Sequence, residues 1–423
     1  MGSKRIFTLS FLAAFAVFCF VAAQVRAEDL DLRQLIEEAL RNSPELRASG
    51  SQVSAAEYRI PQVKTFPDPM LTFGYQNEGF NRFTYGNPNN PNTQGVVSAS
   101  QSFPFPGKLG LKGEAASREA ESLGANHEAL RLKTVSRVKE LYFDLYTSYK
   151  DIDLIHENTA LFSRAEDAAL ARYSTGKGSQ QEVLMAQTEK YLLLGKEEML
   201  RQRIESLDAM LNAVVGRPAD SPLGSPVDQP PANLTFTLDE LINIANEQSP
   251  ELKAKDKMIE AAESRVAFSK KDYYPDFTVT GSYFPRGNGF EDMWSLTAGV
   301  TIPIFYRTKQ RQAVNEAEAS LNGARSDREA TRLMIASTIR DNYAMLKAAD
   351  KLMSLYKDGL IPKSRQDVEL ALSGYRTGSV DALTVITRLK AVIDFESSYW
   401  GQFAEREKAL ARIQALTGKV NQQ

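Results

Sequence analysis

The segment at residues 35–59, LIEEALRNSPELRASGSQVSAAEYR, returns at residues 241–265 as LINIANEQSPELKAKDKMIEAAESR. Leu35, Ile36, Ala39, Ser43, Pro44, Glu45, Leu46, Ala48, Ala55, Ala56, Glu57 and Arg59 each recur 206 positions later, without a gap. Identity of that density marks a duplication. The 423 residues therefore read as two fused copies of one unit rather than as unrelated domains. The first copy is expected over residues 28–215 and the second over 238–417. A crossover over 216–237 carries Pro218, Pro222, Pro226, Pro230 and Pro231, and a short tail occupies 418–423.

Residues 1–27 have the make-up of a secretory signal. Lys4 and Arg5 precede an apolar run over 6–23, and Val25-Arg26-Ala27 is a small-x-small cleavage site. The alternative, a membrane anchor helix, needs a longer run. Cys19 follows Phe18, where a lipid-anchor cysteine needs a small residue. Removing the signal takes away Lys4, Arg5 and Arg26, leaving 48 of 51 basic residues against 53 acidic ones, a net charge of −5. It also removes the single cysteine. A chain without thiols has no disulfide, thiolate metal ligand or cysteine nucleophile. No later segment approaches eighteen consecutive apolar residues, so no transmembrane helix is expected.

Residues 30–60 carry apolar side chains at helical spacing, broken at Ser43-Pro44, where a bend or a restart is expected. The period then changes to two. Leu71, Phe73 and Tyr75 alternate with Thr72, Gly74 and Gln76, and after an Asn-, Gly- and Pro-rich loop at 77–95, Val97, Ala99 and Phe103 alternate with serines. The second copy repeats the pattern. Phe277, Val279 and Tyr283 alternate with Thr278, Thr280 and Ser282. Trp294, Leu296, Ala298, Val300 and Ile302 alternate with Ser295, Thr297, Gly299 and Thr301. A Pro-Asp step precedes the first strand of each pair, at Pro67-Asp68 and Pro275-Asp276.

The polar side of these strands is Ser, Thr and Gly, without the charges usual on a solvated sheet. Two readings stand: ordinary hairpins packed on helices, or transmembrane strands with apolar residues to lipid and small polar residues to a lumen. The second makes Leu71, Phe73, Tyr75, Val97, Phe277, Val279, Tyr283, Trp294, Leu296, Val300 and Ile302 lipid-facing. Aromatic residues near the strand ends (Phe73, Tyr75, Phe103, Tyr283, Trp294) suit interfacial girdles. Four strands cannot close a barrel, and an open edge in lipid leaves backbone groups unpaired at several kcal/mol each. Closure takes at least about eight strands, so spanning strands require oligomerisation.

Long helical patterns follow each strand pair, over 107–173 and 307–375. Val135, Val138, Tyr142, Leu145 and Tyr149 step by three and four, as in a coiled-coil seam, and Ile339, Tyr343 and Leu346 repeat the spacing. A helix of about 65 residues at ~1.5 Å each is about 100 Å long. Pro362 predicts a kink or register change in the second. Both end in matching turns, Tyr173-Ser-Thr-Gly176 and Tyr375-Arg-Thr-Gly378, with glycine where a helix end favours a left-handed residue. Ser179 and Asp381 stand where they could cap returning helices over 180–215 and 382–416.

Nothing here reads as an active site. His127 and His156 are the only histidines and lie on helical patterns; two histidines without a cysteine do not make a metal cluster. Walker-type, GxSxG and dinucleotide-loop motifs are missing from the sequence. Glu37-Glu38 and Glu197-Glu198 read as solvated helix faces. No basic block marks a nucleic-acid partner. The chain is not expected to be an enzyme, and no cofactor or metal is expected.

Duplicated halves, each with an A-L-x-x-S-P-E-L type helix, a strand pair and a long hairpin turning at Y-x-x-G, resemble the TolC-like outer-membrane efflux proteins over residues 30–417. Phe103-Pro-Phe-Pro-Gly-Lys108 and Leu360-Ile-Pro look most like the heavy-metal (CzcC/CusC-like) branch. The resemblance implies a mainly α fold with a small β part: long antiparallel helical hairpins forming an α-barrel. It also implies four transmembrane strands per chain that complete a 12-stranded barrel only in a homotrimer. It implies a passive duct in the outer membrane, with a helical tunnel in the periplasm. A periplasmic adaptor and an inner-membrane pump, of RND type, would partner it in exporting metal ions or small toxic compounds. A duct for type I protein secretion and a soluble periplasmic coiled-coil scaffold are the alternatives. The residues matching the family's periplasmic tip, where adaptors engage and the pore closes, are Tyr173, Gly176, Ser179, Tyr375, Arg376, Gly378 and Asp381. The family's aspartate ring matches Thr384 and Thr387, so this chain departs from an aspartate-gated constriction.

Overall fold

The structure, a computed structural model, describes residues 29–77, 93–287 and 289–418. The expected signal, most of the 77–95 loop and all but Gly418 of the tail lie outside them. In order the elements are α1 (Leu32–Asn42), α2 (Pro44–Lys64), β1 (Met70–Gln76), β2 (Gln94–Phe103), α3 (Lys108–Ser174) and α4 (Gln180–Val215). The same series follows as α5 (Leu238–Gln248), α6 (Pro250–Lys271), β3 (Asp276–Phe284), β4 (Met293–Thr301), α7 (Gln310–Ser354), a π-helical turn (Leu355–Leu360), α8 (Ile361–Thr377) and α9 (Ala382–Thr417).

The helix expected over 30–60 is two helices. A residue before proline is driven out of the α region by the proline ring. Ser43 sits at φ −53°, ψ 121° and Ser249 at φ −54°, ψ 121°, and each proline then opens a new helix. Each serine N–H still closes its helix, on Ala39 O and Ala245 O at 3.0 Å. The duplication is thus visible in the backbone to within a degree. Pro362 has the effect expected of it. Its ring would press on the carbonyl four residues back, and the chain widens into a π turn just before it, Ile361 N–H reaching back to Tyr356 O.

The chain forms two compact units, each drawing on both sequence repeats. One comprises residues up to 43, 134–234 and 344–411. Of the predicted seam, Val138, Tyr142 and Leu145 are fully buried there among Leu35, Leu211, Val215 and Phe403, Val135 is 7% exposed and Tyr149 is partly buried. The crossover is tied down by the same helix. Tyr142 OH donates to Val227 O at 2.9 Å, Tyr146 OH to Asp228 Oδ1 at 3.0 Å, and Lys150 Nζ pairs with Asp228 at 2.7 Å. Burial pushes the Tyr142 hydroxyl pKa up to about 12.

The other unit comprises 44–133, 235–343 and the residues from 412 on. It holds one antiparallel sheet in the order β1-β2-β3-β4. Arg118 pairs with Glu260 at 3.0 Å, Lys257 with Glu121 at 3.0 Å, and Ser122 Oγ donates to Ala254 O at 2.9 Å.

Candidate functional site

The sheet register sorts every strand residue onto one of two faces, because side chains alternate and paired residues share a side. Phe73, Val97, Tyr283 and Trp294 form one cross-strand row. Leu71, Ala99, Gly281 and Leu296 form the next, then Gln101, Val279 and Ala298, then Phe103, Phe277 and Val300. Tyr75 lies on the same face by alternation, and Ile302 continues it one residue beyond β4. All eleven strand residues picked from the sequence therefore share one side. That side is bare: Trp294 is 79% exposed, Phe73 75% and Leu296 69%. Gln101 is its polar exception, with the amide turned onto Pro67 O at 2.7 Å and Ser102 O at 2.9 Å.

The opposite face carries rows of Thr72, Ser98, Ser282 and Ser295, of Met70, Ser100, Thr280 and Thr297, and of Ser102, Thr278 and Gly299, with Val96 opposite Gly74 and Phe284 opposite Met293 toward the hairpin ends. Thr280 Oγ1 donates to Ser100 Oγ at 3.0 Å. Asp276, the first residue of β3, is the one charge in the four strands. A wet sheet face ordinarily carries charge, and contiguous bare apolar surface on this scale marks a partner or a membrane. The outer edges of β1 and β4 have no strand partner among the described residues.

At the other candidate site the two hairpin turns have one geometry. Gly176 has φ +71° and Gly378 φ +88°, conformations that cost a side-chain-bearing residue about 1 kcal/mol or more. Gly176 N–H bonds to Tyr173 O at 3.0 Å and Gly378 N–H to Tyr375 O at 3.1 Å. The following amides match as well, Lys177 on Arg172 O at 2.8 Å and Ser379 on Gly374 O at 2.9 Å.

The side chains break the symmetry. Tyr375 is 1% exposed and Tyr173 47%. Arg172 lies over the Tyr375 ring, 4.9 Å from its centroid, and donates to Tyr375 O and to Lys177 O, both at 2.9 Å. Tyr375 OH donates to Glu182 Oε2 at 2.7 Å, and Arg172 Nε lies 3.9 Å from that oxygen. Arg172 thus satisfies end carbonyls in both turns, and Glu182 closes the arrangement. Burial, with the Glu182 carboxylate holding the proton, drives the Tyr375 pKa well above its ordinary value. Sequence reading missed Arg172 and Glu182. The one signal was Gly374, equivalent to Arg172: a Cβ there would meet Val380 Cγ2 at 2.6 Å.

Asp381 caps α9 as expected, accepting from Thr384 N–H at 2.7 Å, which lowers its pKa. Ser179 does not do the same. It stands at the N-cap position of α4, but its hydroxyl makes no capping bond, and Glu182 N–H is taken instead by Ser179 O at 3.1 Å. Arg376 lines a groove with Arg164, Asp167, Arg172 and Lys177. Thr384 is half-buried and Thr387 exposed, its hydroxyl bonded to Leu383 O at 2.8 Å. Among the described residues no cluster of His, Cys, Asp or Glu could hold a metal ion. His156 pairs with Glu197 at 3.1 Å, and Glu38 pairs with Arg217.

The chain matches the family model described as outer membrane efflux protein over residues 35–217 and again over 241–419. A pyoverdine export outer membrane protein of Pseudomonas putida, OpmQ, is 23% identical over 92% of this chain and 86% of its own length. The cobalt-zinc-cadmium resistance protein CzcC of Cupriavidus metallidurans is 20% identical over 93% and 91%. Among solved structures, CusC superposes with a TM-score of 0.79 at 16% identity over 93% of both chains. The outer membrane protein VceC of Vibrio cholerae gives 0.77 at 19% identity over 93% and 97%. The two-faced sheet, the duplicated hairpins and the twofold match agree, and the chain belongs to the outer membrane efflux protein family.

Proposed function

We propose that this chain is the outer-membrane exit duct of a tripartite efflux system, working as a homotrimer. The observation that carries the reading is the sheet: one face apolar and bare, the other hydroxyl-lined with Asp276 at the end of β3 as its single charge, and both outer edges without a strand partner among the described residues. In a hydrocarbon layer open edges are untenable, and three copies supply twelve strands for a closed barrel. The eleven apolar-face residues, Leu71 to Ile302, then meet lipid, and the Ser and Thr rows line the lumen.

The paired turns take the part of the periplasmic tip. Tyr173, Gly176, Ser179, Tyr375, Arg376, Gly378, Asp381, Thr384 and Thr387 would meet the adaptor and narrow the pore, with the clamp of Arg172, Tyr375 and Glu182 holding the closed form. Energy would come from an inner-membrane pump, with no chemistry on this chain. Metal ions or small toxic compounds remain the proposed cargo. Relatives named for pyoverdine export, cobalt-zinc-cadmium resistance and toluene efflux support a duct whose cargo is chosen by its pump. The repeats over 28–215 and 238–417 are the proposed evolutionary units, joined by the 216–237 crossover.

The test is electrophoresis of outer-membrane fractions with and without boiling. A heat-labile band near three times the monomer mass is expected. A monomer in the soluble periplasmic fraction would overturn the duct and leave the coiled-coil scaffold.

A further inference from the structure

Where β4 passes into α7 the chain gathers positive charge that nothing on it answers. Between Asp292 and Glu316 there is no acidic residue, and the cations are Arg307, Lys309 and Arg311. All three are exposed. Arg307 leans on its own neighbour, Nε donating to Tyr306 OH at 3.3 Å with the guanidinium 5.8 Å from the ring centroid. None of the three has a carboxylate partner among the described residues.

The first copy shows how such cations are otherwise accommodated. After β2, Lys108 is 5% exposed and held between Asp272 at 3.2 Å and Asp276 at 2.9 Å, and Lys112 lies over the Phe268 ring at 4.9 Å. The second copy has no such arrangement. The first turn of α7 contains no acidic residue, and a cation there opposes the helix dipole. Glu316 and Glu318 come about two turns further on, and Glu318 already pairs with Lys270 at 3.2 Å.

The same stretch is apolar just before its charges. Ile302, Ile304 and Phe305 are each 69% exposed and Tyr306 46%, so the bare face of the sheet runs on into the cations. From Trp294 to Ile302 is eight residue steps, about 27 Å at ~3.4 Å each before tilt. The apolar band of a membrane barrel is about 25 Å tall. Arg307 and the two cations after it therefore fall just past the hydrocarbon, at headgroup depth, with Phe305 and Tyr306 at the boundary where aromatic rings settle.

From this we infer that Arg307, Lys309 and Arg311 bind the phosphate of an anionic phospholipid, whose acyl chains lie along Ile302, Ile304 and Phe305. The inference rests on the membrane-spanning trimeric duct proposed above, which puts this end of the sheet in the leaflet nearer the helices. Charge and apolar surface select the ligand together. Guanidinium groups present paired donors that match phosphate oxygens, and each Lys or Arg held near an anionic lipid surface strengthens binding about fivefold. A soluble anion would leave the isoleucines and Phe305 bare, and a zwitterionic lipid brings a cation of its own.

The experiment is native mass spectrometry of the detergent-purified trimer, titrated separately with dioleoylphosphatidylglycerol and dioleoylphosphatidylcholine. We expect up to three phosphatidylglycerol molecules per trimer, held at least tenfold more tightly than phosphatidylcholine and more weakly as salt is raised. Lys309→Gln should weaken phosphatidylglycerol about fivefold. Arg307→Gln, Lys309→Gln and Arg311→Gln together should erase the preference, while the charge-keeping set Arg307→Lys, Lys309→Arg and Arg311→Lys should retain it.

Equal binding of the two lipids by the parent would overturn the site without recourse to any variant. So would an unchanged preference in the triple glutamine variant, or full displacement of phosphatidylglycerol by excess inorganic phosphate, the mark of a free-anion site. A triple variant whose trimer band is lost at lower temperature by the same margin in either lipid would show that the cations hold the assembly rather than a lipid, and would overturn it too. A parent protein that forms no trimer in outer-membrane fractions would instead overturn the duct reading beneath it.

Discussion

An arginine placed on either face of β3 separates a membrane-spanning sheet from a wet one. Gly281 and Ser282 are neighbours, one on the apolar face and one on the hydroxyl face. A Cβ at Gly281 would meet nothing within 4 Å, so Gly281→Arg adds no steric conflict and its cost is that of its surroundings. On β3 the apolar face runs from Phe277 to Tyr283, six residue steps or about 20 Å at ~3.4 Å each. Gly281 lies inside that span. Charged side chains on the lipid face cost roughly 2–4 kcal/mol at the midplane, falling toward the interfaces. Taking the low end, about 2 kcal/mol per chain, three copies lose about 6 kcal/mol. Ser282→Arg leaves its guanidinium in lumen water and should cost less than about 1 kcal/mol per chain. The assay is the temperature at which the unboiled trimer band vanishes, with the yield in the outer-membrane fraction. Gly281→Arg should abolish or sharply lower both, and Ser282→Arg should leave both near the parent values. Equal tolerance, or the reverse order, would refute the lipid-facing assignment.

The clamp at the turns makes its own predictions. Tyr375→Phe removes the hydroxyl bond to Glu182, a charged acceptor, and should destabilise the closed turns by about 1.5–3 kcal/mol; single-channel conductance in planar bilayers should rise. The raised Tyr375 pKa sets a pH window. Its contribution is complete below the ordinary tyrosine value of about 10 and is lost as pH climbs toward the higher folded value. Conductance should therefore increase above about pH 10 in the parent and less so in the Phe variant. Asp208, its Oδ1 buried without a hydrogen-bond partner, has its pKa raised to about 6, chiefly by burial. Its charged form opposes folding above that pH, so Asp208→Asn should stabilise by roughly 1–3 kcal/mol at pH 7. The gain should be gone near pH 4 in a chemical-denaturation series.

What the sequence revealed was whatever repeats or acts over a few residues. The Ser-Pro restarts follow from one steric clash, and the strand faces follow from a period of two. The π turn was readable as a disturbance because Pro362 removes a specific donor, though its form was not. The clamp was invisible because its partners are 203 residues apart for Arg172 and Tyr375 and 193 for Tyr375 and Glu182. Tyr173 and Tyr375 look alike in sequence, yet only one is buried. Tyr375 packs into a cluster with Val368, Leu372, Ala382 and Val385 and is covered by the Arg172 side chain, where the second turn has only a glycine. Ser179 and Asp381 likewise occupy matching places, and only the carboxylate makes the cap.

The unequal connections of the two hairpins have a bearing on how such a protein can diversify. Between β1 and β2 lie 17 residues, and between β3 and β4 only 8. The first connection is thus nine residues longer than the second, and both hairpins still pair without a bulge. Loop closure grows only slowly more costly with length, by about 0.6 kcal/mol for each doubling, while a shifted strand forfeits its whole face. The connections joining the strand ends are therefore free ground for change. An epitope tag or a display peptide spliced into residues 285–292 should be carried as readily as the first hairpin carries its longer connection.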